Sequence, residues 1–331
     1  MASASSDSPV VSSTSTFIVR AFSWGMLFVL LVFLINNYLN VGMGWPGAKS
    51  LFEGEANGLA WVQIALYAAA IIGAFLYVSR TTSRTLRVDS AAIARFNGFL
   101  VRAAFWAVFL VGLADAAISF LRVEGMLEQY VSAQMASDLG RAQFRGPFIH
   151  LPLMLLGVVI AALTRSLGFI WLTLLIVVAE LTIVFTRFIF SYEQAFMADL
   201  VRFWYAALFL FASAYTLQEE GHVRVDVFYA GFKDKTKGFI NAVGSLCLGM
   251  LVCWVILIEG LSGRSSVINS PMLSYEISQS GFGMYTKYLM AGFLAVFAIT
   301  MMVQFVSYLL ESVADYRDEP GRRALPEAPP H

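Results

Sequence analysis

The feature that most constrains this chain is a series of apolar stretches, each long enough to cross a bilayer as a helix. About 20 apolar residues span a hydrocarbon core of about 30 Å. Seven stretches clearly meet this length, and they are 17–39, 59–78, 99–121, 169–190, 200–217, 239–261 and 285–310. The residues are 59% hydrophobic and only 13% charged, which excludes an ordinary soluble domain. The sequence therefore predicts an all-α, polytopic membrane protein.

An eighth stretch, 148–164, is shorter and is separated from the next by only four residues. The positive-inside rule favours counting it as a span, because seven spans would place the basic loops after Val78 and Gly221 on opposite sides of the membrane. With eight spans and both termini in the cytoplasm, the inner connections hold most of the basic residues. These are Arg80, Arg84, Arg87, Arg95, Arg165, Arg224, Lys233, Lys235, Lys237, Arg317, Arg322 and Arg323. The outer loop 122–146 is then expected to carry three arginines, including Arg145, and a short amphipathic helix.

Residues 1–16 are rich in Ser and Thr and predict a flexible tail that lacks the marks of a cleaved signal peptide. Cys247 and Cys253 would point along different faces of one helix, so no disulfide is expected between them. Three scattered histidines predict no zinc cluster and cannot supply the facing pairs that a dihaem subunit needs. No enzyme signature is present, and we expect no metal or cofactor in this chain.

Two carboxylates, Asp115 and Glu180, lie inside predicted spans, where ionisable groups are costly. They are either ion or proton ligands, or structural groups that bond to a neighbouring helix, with Arg187 as one candidate. The structural interpretation is favoured, because coupling sites usually gather several carboxylates and unwound carbonyls. Trp204 is among several tryptophans near predicted span ends, which indicates interfacial anchoring.

Two segments in the second half of the chain carry the most informative pattern. In 187–229 an Arg ends one helix, an aromatic and acidic hairpin follows, and a second helix leads into EGHVRVD. Its pattern residues are Arg187, Glu193, Trp204, Glu220, His222, Arg224 and Asp226. The second segment, 274–305, contributes Glu276, Ser278, Lys287 and Gln304. His222 and Asp226 share a helical face, but two ligands without a third do not predict a metal site.

Together these segments resemble the small permease of tripartite ATP-independent periplasmic (TRAP) transporters, the DctQ type, over about 169–316. The resemblance implies a scaffold subunit in the bacterial inner membrane that supports a large, DctM-type permease. A periplasmic binding protein would capture the solute, typically an organic acid, and sodium would bind in the large permease. On this basis the pattern residues stabilise subunit contacts or helix ends, and none is catalytic.

The resemblance also implies a domain organisation. Residues 167–316 would form a DctQ-like four-helix membrane domain, preceded by an extra region of about four helices at 17–166 and followed by a cytoplasmic tail at 317–331. This long form is similar to the subgroup labelled mannitol/chloroaromatic. The sequence leaves two alternative functions open: a self-sufficient ion-coupled carrier that uses Asp115 and Glu180, and the membrane anchor of a redox complex.

Overall fold

The computed structural model describes residues 14–51, 54, 57–165, 169–192, 195–219, 228–278 and 283–322. Within these ranges the chain is helical with connecting turns, and eight helices are long and apolar enough to cross a membrane. They are α1 (Thr14–Met43), α2 (Gly58–Arg80), α3 (Leu86–Val123), α6 (Ala142–Leu163), α7 (Phe169–Phe190), α8 (Ala195–Gln218), α9 (Asp234–Gly260) and α11 (Lys287–Tyr316). Three shorter α-helices are α4 (Leu127–Tyr130), α5 (Ala133–Leu139) and α10 (Asn269–Ser274), and a single 3₁₀ turn lies at Ala48–Leu51. The all-α class and the eight spans are confirmed, whereas the cytoplasmic placement of the termini stays a prediction.

The short eighth stretch is a separate helix, α6, and it begins inside the segment that the sequence assigned to an outer loop. A turn of π-helix runs over Gly146–His150 before regular α-helix resumes at Leu151. Arg145 lies in the first turn of α6 and is fully buried. The expectation that Arg145 lies in a loop was therefore wrong, whereas its predicted place on the outer side of the membrane stays a prediction. The reason is a buried partner, described below, that offsets the cost of its charge.

The chain forms two compact units by the density of its internal contacts. The first comprises 1–94, 223–251 and 303–331, and the second comprises 95–222 and 252–302. The predicted division into regions 17–166 and 167–316 stays a prediction.

In the first unit, a buried ion pair joins α1 to the start of α3. Arg20 Nε donates to Asp89 Oδ2 at 2.7 Å, and neither side chain is more than 2% exposed. Arg20 also donates to the Thr81 carbonyl at 2.7 Å, and Trp24 Nε1 donates to Asp89 Oδ2 at 2.9 Å. The guanidinium therefore also satisfies a carbonyl at the C-terminal end of α2, where cations are favourable.

The end of α11 in the same unit is held by a second arginine. Arg87 Nη2 donates to Asp315 at 2.9 Å and to the Glu319 carbonyl at 2.8 Å, and Nη1 pairs with Glu311. Beyond the helix, Arg322 pairs with Asp234 at 2.6 Å. Burial lowers the pKa of Arg322, but the hydrogen bond to Asp234 and the nearby charge of Asp315 raise it more, so the pKa lies above its usual range.

The core of the second unit is aromatic. Phe203, Trp204 and Phe211 on α8 are buried against Phe105 of α3 and Phe293 of α11. Trp204 is ten residues into α8 and 2% exposed, so its predicted place at the membrane interface was wrong. A span that begins at Ala195 instead of Leu200 moves this ring from the helix end into the core.

Close helix packing in this unit depends on glycine. A Cβ at Gly112 would lie 2.3 Å from Trp204 Nε1, and one at Gly157 would lie 2.6 Å from the Ala107 backbone nitrogen. Small residues at such positions let membrane helices approach closely. Elsewhere in the chain, Cys247 is an exposed free thiol and Cys253 a buried one.

Candidate functional site

The second unit contains a buried polar network centred on Asp115 of α3. Its Oδ1 accepts from Arg145 Nη1 at 2.7 Å and lies 3.0 Å from His150 Nε2. Its Oδ2 accepts from the backbone N–H of Tyr285 at 2.8 Å. The side chains of Asp115, Arg145 and His150 are all 0% exposed. Three donors therefore surround one carboxylate, which is the condition for holding a charge away from water.

Arg145 extends the network from α6 to two further groups. Its Nε donates to the Leu139 carbonyl at 2.5 Å, and its Nη1 donates to Ser119 Oγ at 3.1 Å. The Leu139 carbonyl belongs to the last turn of α5, so a cation here also satisfies a helix C-terminus. This one guanidinium thus ties α3, α5 and α6 together.

His150 links the same carboxylate to α11. Its Nδ1 lies 2.8 Å from the Tyr288 hydroxyl, and the two rings stack with centroids 5.8 Å apart. Because the Asp115 carboxylate accepts hydrogen bonds, His150 Nε2 donates to it, and Nδ1 is left to bond to the tyrosine hydroxyl. The order Asp115–His150–Tyr288 gives each polar atom a partner and fixes the orientation of the imidazole ring.

Tyr285 covers the network on the side of the loop before α11. Its ring lies under two guanidinium groups, with Arg122 Cζ at 4.6 Å and Arg145 Cζ at 4.4 Å from the ring centroid. Its hydroxyl donates to the Gly140 carbonyl at 2.9 Å and accepts from Arg122 Nη1. A cation stacked on a desolvated aromatic ring contributes about 2 kcal/mol or more.

Tyr285 also lines a cavity of about 350 Å³. It is lined by Gly140, Arg141, Ala142, Gln143, Ser274, Tyr275, Glu276, Ile277 and Tyr285. Asp115 and His150 are not among these residues, so the buried carboxylate does not line this cavity. The network therefore has the chemistry of a structural joint: its charge is neutralised, its acceptors are occupied and it is closed to solutes.

The second intramembrane carboxylate has the opposite environment. Glu180 on α7 is exposed, and none of the described residues forms an ion pair or hydrogen bond with it. The suggested pairing with Arg187 is not formed, and Arg187 is itself exposed. The structure does not bring Asp115 and Glu180 together, since one is enclosed and the other lies on an outer helix face.

The residues taken from the sequence pattern are scattered in the structure. Glu276 and Lys287 form an ion pair at 2.6 Å, with both side chains more than two-fifths exposed. Ser278 is half-buried, and Trp204 belongs to the aromatic core. Five predicted residues lie outside the described residues, and they are Glu193, Glu220, His222, Arg224 and Asp226. The role of this set in subunit contacts stays a prediction.

Sequence reasoning missed Arg145, His150 and Tyr285 as partners of Asp115, and Tyr288 as the partner of His150. One signal was available: Arg145 and His150 lie one turn and a half apart at the start of an apolar stretch, so both enter the membrane near the depth of Asp115. Over the described residues, no group of three or more His, Cys, Asp or Glu side chains is arranged to hold a metal ion.

Comparison with known proteins identifies one family. Residues 173–315 match the model of tripartite ATP-independent periplasmic transporters, DctQ component. The resemblance drawn from the sequence is thereby confirmed for this segment, which runs from α7 to the last turn of α11. Searches of curated proteins and of solved structures each found no match.

Proposed function

We propose that this chain, a DctQ-type component over residues 173–315, works as the small permease of a TRAP transporter and supports a large permease subunit. The family match is the observation that carries this proposal, and the eight membrane-spanning helices agree with it. The DctQ family consists of transporter components, not enzymes, and we assign no catalytic activity to this chain. The solute and ion sites then belong to the large permease.

The structure supports a scaffold role through the state of Asp115. A residue that binds and releases a coupling ion needs acceptor oxygens that exchange their partners during transport. Asp115 instead bonds to an arginine, a histidine and a backbone N–H, all buried. Because this arrangement locks α3, α6 and the start of α11, it favours a rigid support over a moving gate.

We assign the membrane, the second partner, the driving ion and the solute class from the tripartite character of the family. We assign the chain to the bacterial inner membrane, with a periplasmic binding protein that delivers the solute to the complex. Uptake would be driven by sodium bound in the large permease, and the solute would be an organic acid or a similar carboxylate. A predicted subgroup, mannitol/chloroaromatic, does not fix the solute.

Affinity purification of the tagged chain from its native membrane in a mild detergent tests this function. We expect a large permease of about a dozen predicted spans to co-purify, identified by mass spectrometry. Liposomes that contain both subunits and receive the binding protein with its solute should take up solute under a sodium gradient, whereas liposomes with this chain alone should not.

Two results would refute the proposed function. If the chain is recovered alone and transports solute by itself in liposomes, it is a self-sufficient carrier, and Asp115 and Glu180 become its coupling candidates. If the purified chain carries a bound chromophore in its optical spectrum, the redox anchor replaces the transporter assignment.

A further inference from the structure

Helix α7 is the least covered of the eight spans. Only 11% of its most apolar stretch is buried, against at least 22% in each of the other spans. Leu172 belongs to the aromatic core and Leu175 and Ile176 pack against it, while most of the other apolar side chains of α7 are exposed. Most of this exposed surface lies within the segment that matches the DctQ family.

Glu180 stands on the open part of this helix, close to its middle. It is the twelfth of the 22 residues of α7, so about 15 Å of helix lies on each side of it. If α7 spans the bilayer, this carboxylate is near the depth where lipid solvates charge least. Ionisable side chains at such depth almost always face a protein partner or a water-filled cavity, not lipid.

The neighbours of Glu180 define a narrow stripe along α7. Val177, Val184 and Arg187 lie three, four and seven residues from it and therefore share its side of the helix. The two valines are 48% and 46% exposed. Val178, which is 50% exposed, lies about 200° around the helix from Glu180. Along the helix, Glu180 has a valine on each side of it within the stripe, and Arg187 stands at one end.

From this geometry we infer that the Glu180 stripe is the docking surface for a transmembrane helix of the large permease, and that Glu180 bonds to a cationic side chain on that helix. The inference rests on the proposed function, because it takes the large permease as the partner. A cation is the complementary group, since it would neutralise the carboxylate and donate the hydrogen bonds that no described residue of this chain provides.

Site-directed photocrosslinking in native membranes tests the surface directly. A photoreactive amino acid would replace Val184 on the stripe or, as the matched control, Val178 on the other side of α7. Position 184 should crosslink to the large permease at least threefold more than position 178. A crosslink from 184 to a second copy of this chain, to lipid only, or equal labelling of the permease from both positions would each overturn the inference.

Substitution of the carboxylate tests the bond. Glu180→Leu should stabilise the isolated chain in the bilayer, because leucine inserts more favourably than an acidic residue. We nevertheless expect it to lower recovery of the large permease by about thirtyfold or more, the effect of losing one partner of a buried charge pair. Glu180→Gln keeps the shape and should lower recovery less, and Val178→Ala should leave it unchanged.

The subunit role and the docking surface can be refuted separately. If the unchanged chain recovers no large permease, the proposed function itself is wrong. If the unchanged chain recovers the permease and Glu180→Leu recovers it equally well, the subunit role stands and the docking assignment to Glu180 is wrong.

Discussion

The substitution Arg145→Met isolates the energetic contribution of the buried network. Methionine fills the volume of the aliphatic part of arginine and removes the charge and its donors. Asp115 would lose its 2.7 Å contact, and the Leu139 carbonyl and Ser119 hydroxyl would lose their donor. Asp115 would keep only His150 and the Tyr285 N–H. Removing one partner of a buried ion pair costs about 3–5 kcal/mol, and we expect a loss of unfolding free energy in that range.

The double variant separates a lost charge pair from a general packing defect. In Asp115→Asn alone, the amide nitrogen must face either the Tyr285 N–H or the donors of Arg145 and His150, so one donor meets another. Once Arg145 is methionine, the same change removes an unpaired buried charge. We therefore expect Asp115→Asn/Arg145→Met to be less destabilised than the sum of the single variants by about 1–3 kcal/mol.

Unfolding in mixed micelles by sodium dodecyl sulfate, followed by tryptophan fluorescence and far-ultraviolet circular dichroism, measures these differences. Arg141→Met is the matched control, because this arginine also pairs with an aspartate but its side chain is 61% exposed. Such surface pairs contribute about 1 kcal/mol or less. If Arg145→Met behaves like the control, or if the two network substitutions are additive, the network does not stabilise the fold as argued.

Two further substitutions test helix contacts. Gly112→Ala should destabilise the chain by about 1–3 kcal/mol, because the new methyl group would meet Trp204. Gly25→Ala on α1 is the control, since the added methyl group has open space and should not lower the stability; thermal unfolding of both variants measures the difference. Arg87→Met should speed proteolytic cleavage after the end of α11 by several-fold, because the Arg87 guanidinium holds Asp315 and the Glu319 carbonyl there. The same substitution at the more exposed Arg84 is the control, and equal cleavage of the two variants would contradict this role of Arg87.

The number of spans could be predicted from the sequence because the bilayer imposes one rule on every segment. A helix must be apolar over about 20 residues to cross, and this requirement is local. Where polar groups enter a span, the local rule places boundaries wrongly. The apolar stretch 148–164 is short because the charged Arg145 precedes it, yet the helix α6 already begins at Ala142. The partner that makes this acceptable, Asp115, lies 30 residues earlier on another helix.

The position of Trp204 could not be predicted for a related reason. Tryptophan has an apolar ring and a polar N–H, and both the membrane interface and a helical core accommodate it. The choice depends on Gly112, which provides the space for the indole ring on a neighbouring helix. A pattern within one helix contains no information on such a contact.

Asp115 and Glu180 show why hydropathy alone cannot separate an internal joint from an external contact. Each is a single carboxylate in an apolar span, so each is costly in a bilayer without a partner. Asp115 recovers that cost inside this chain, through donors from α6 and from the loop before α11. Glu180 finds no such donor among the described residues and lies on the least covered helix. The same physical requirement therefore explains a rigid fold at Asp115 and predicts a missing partner at Glu180.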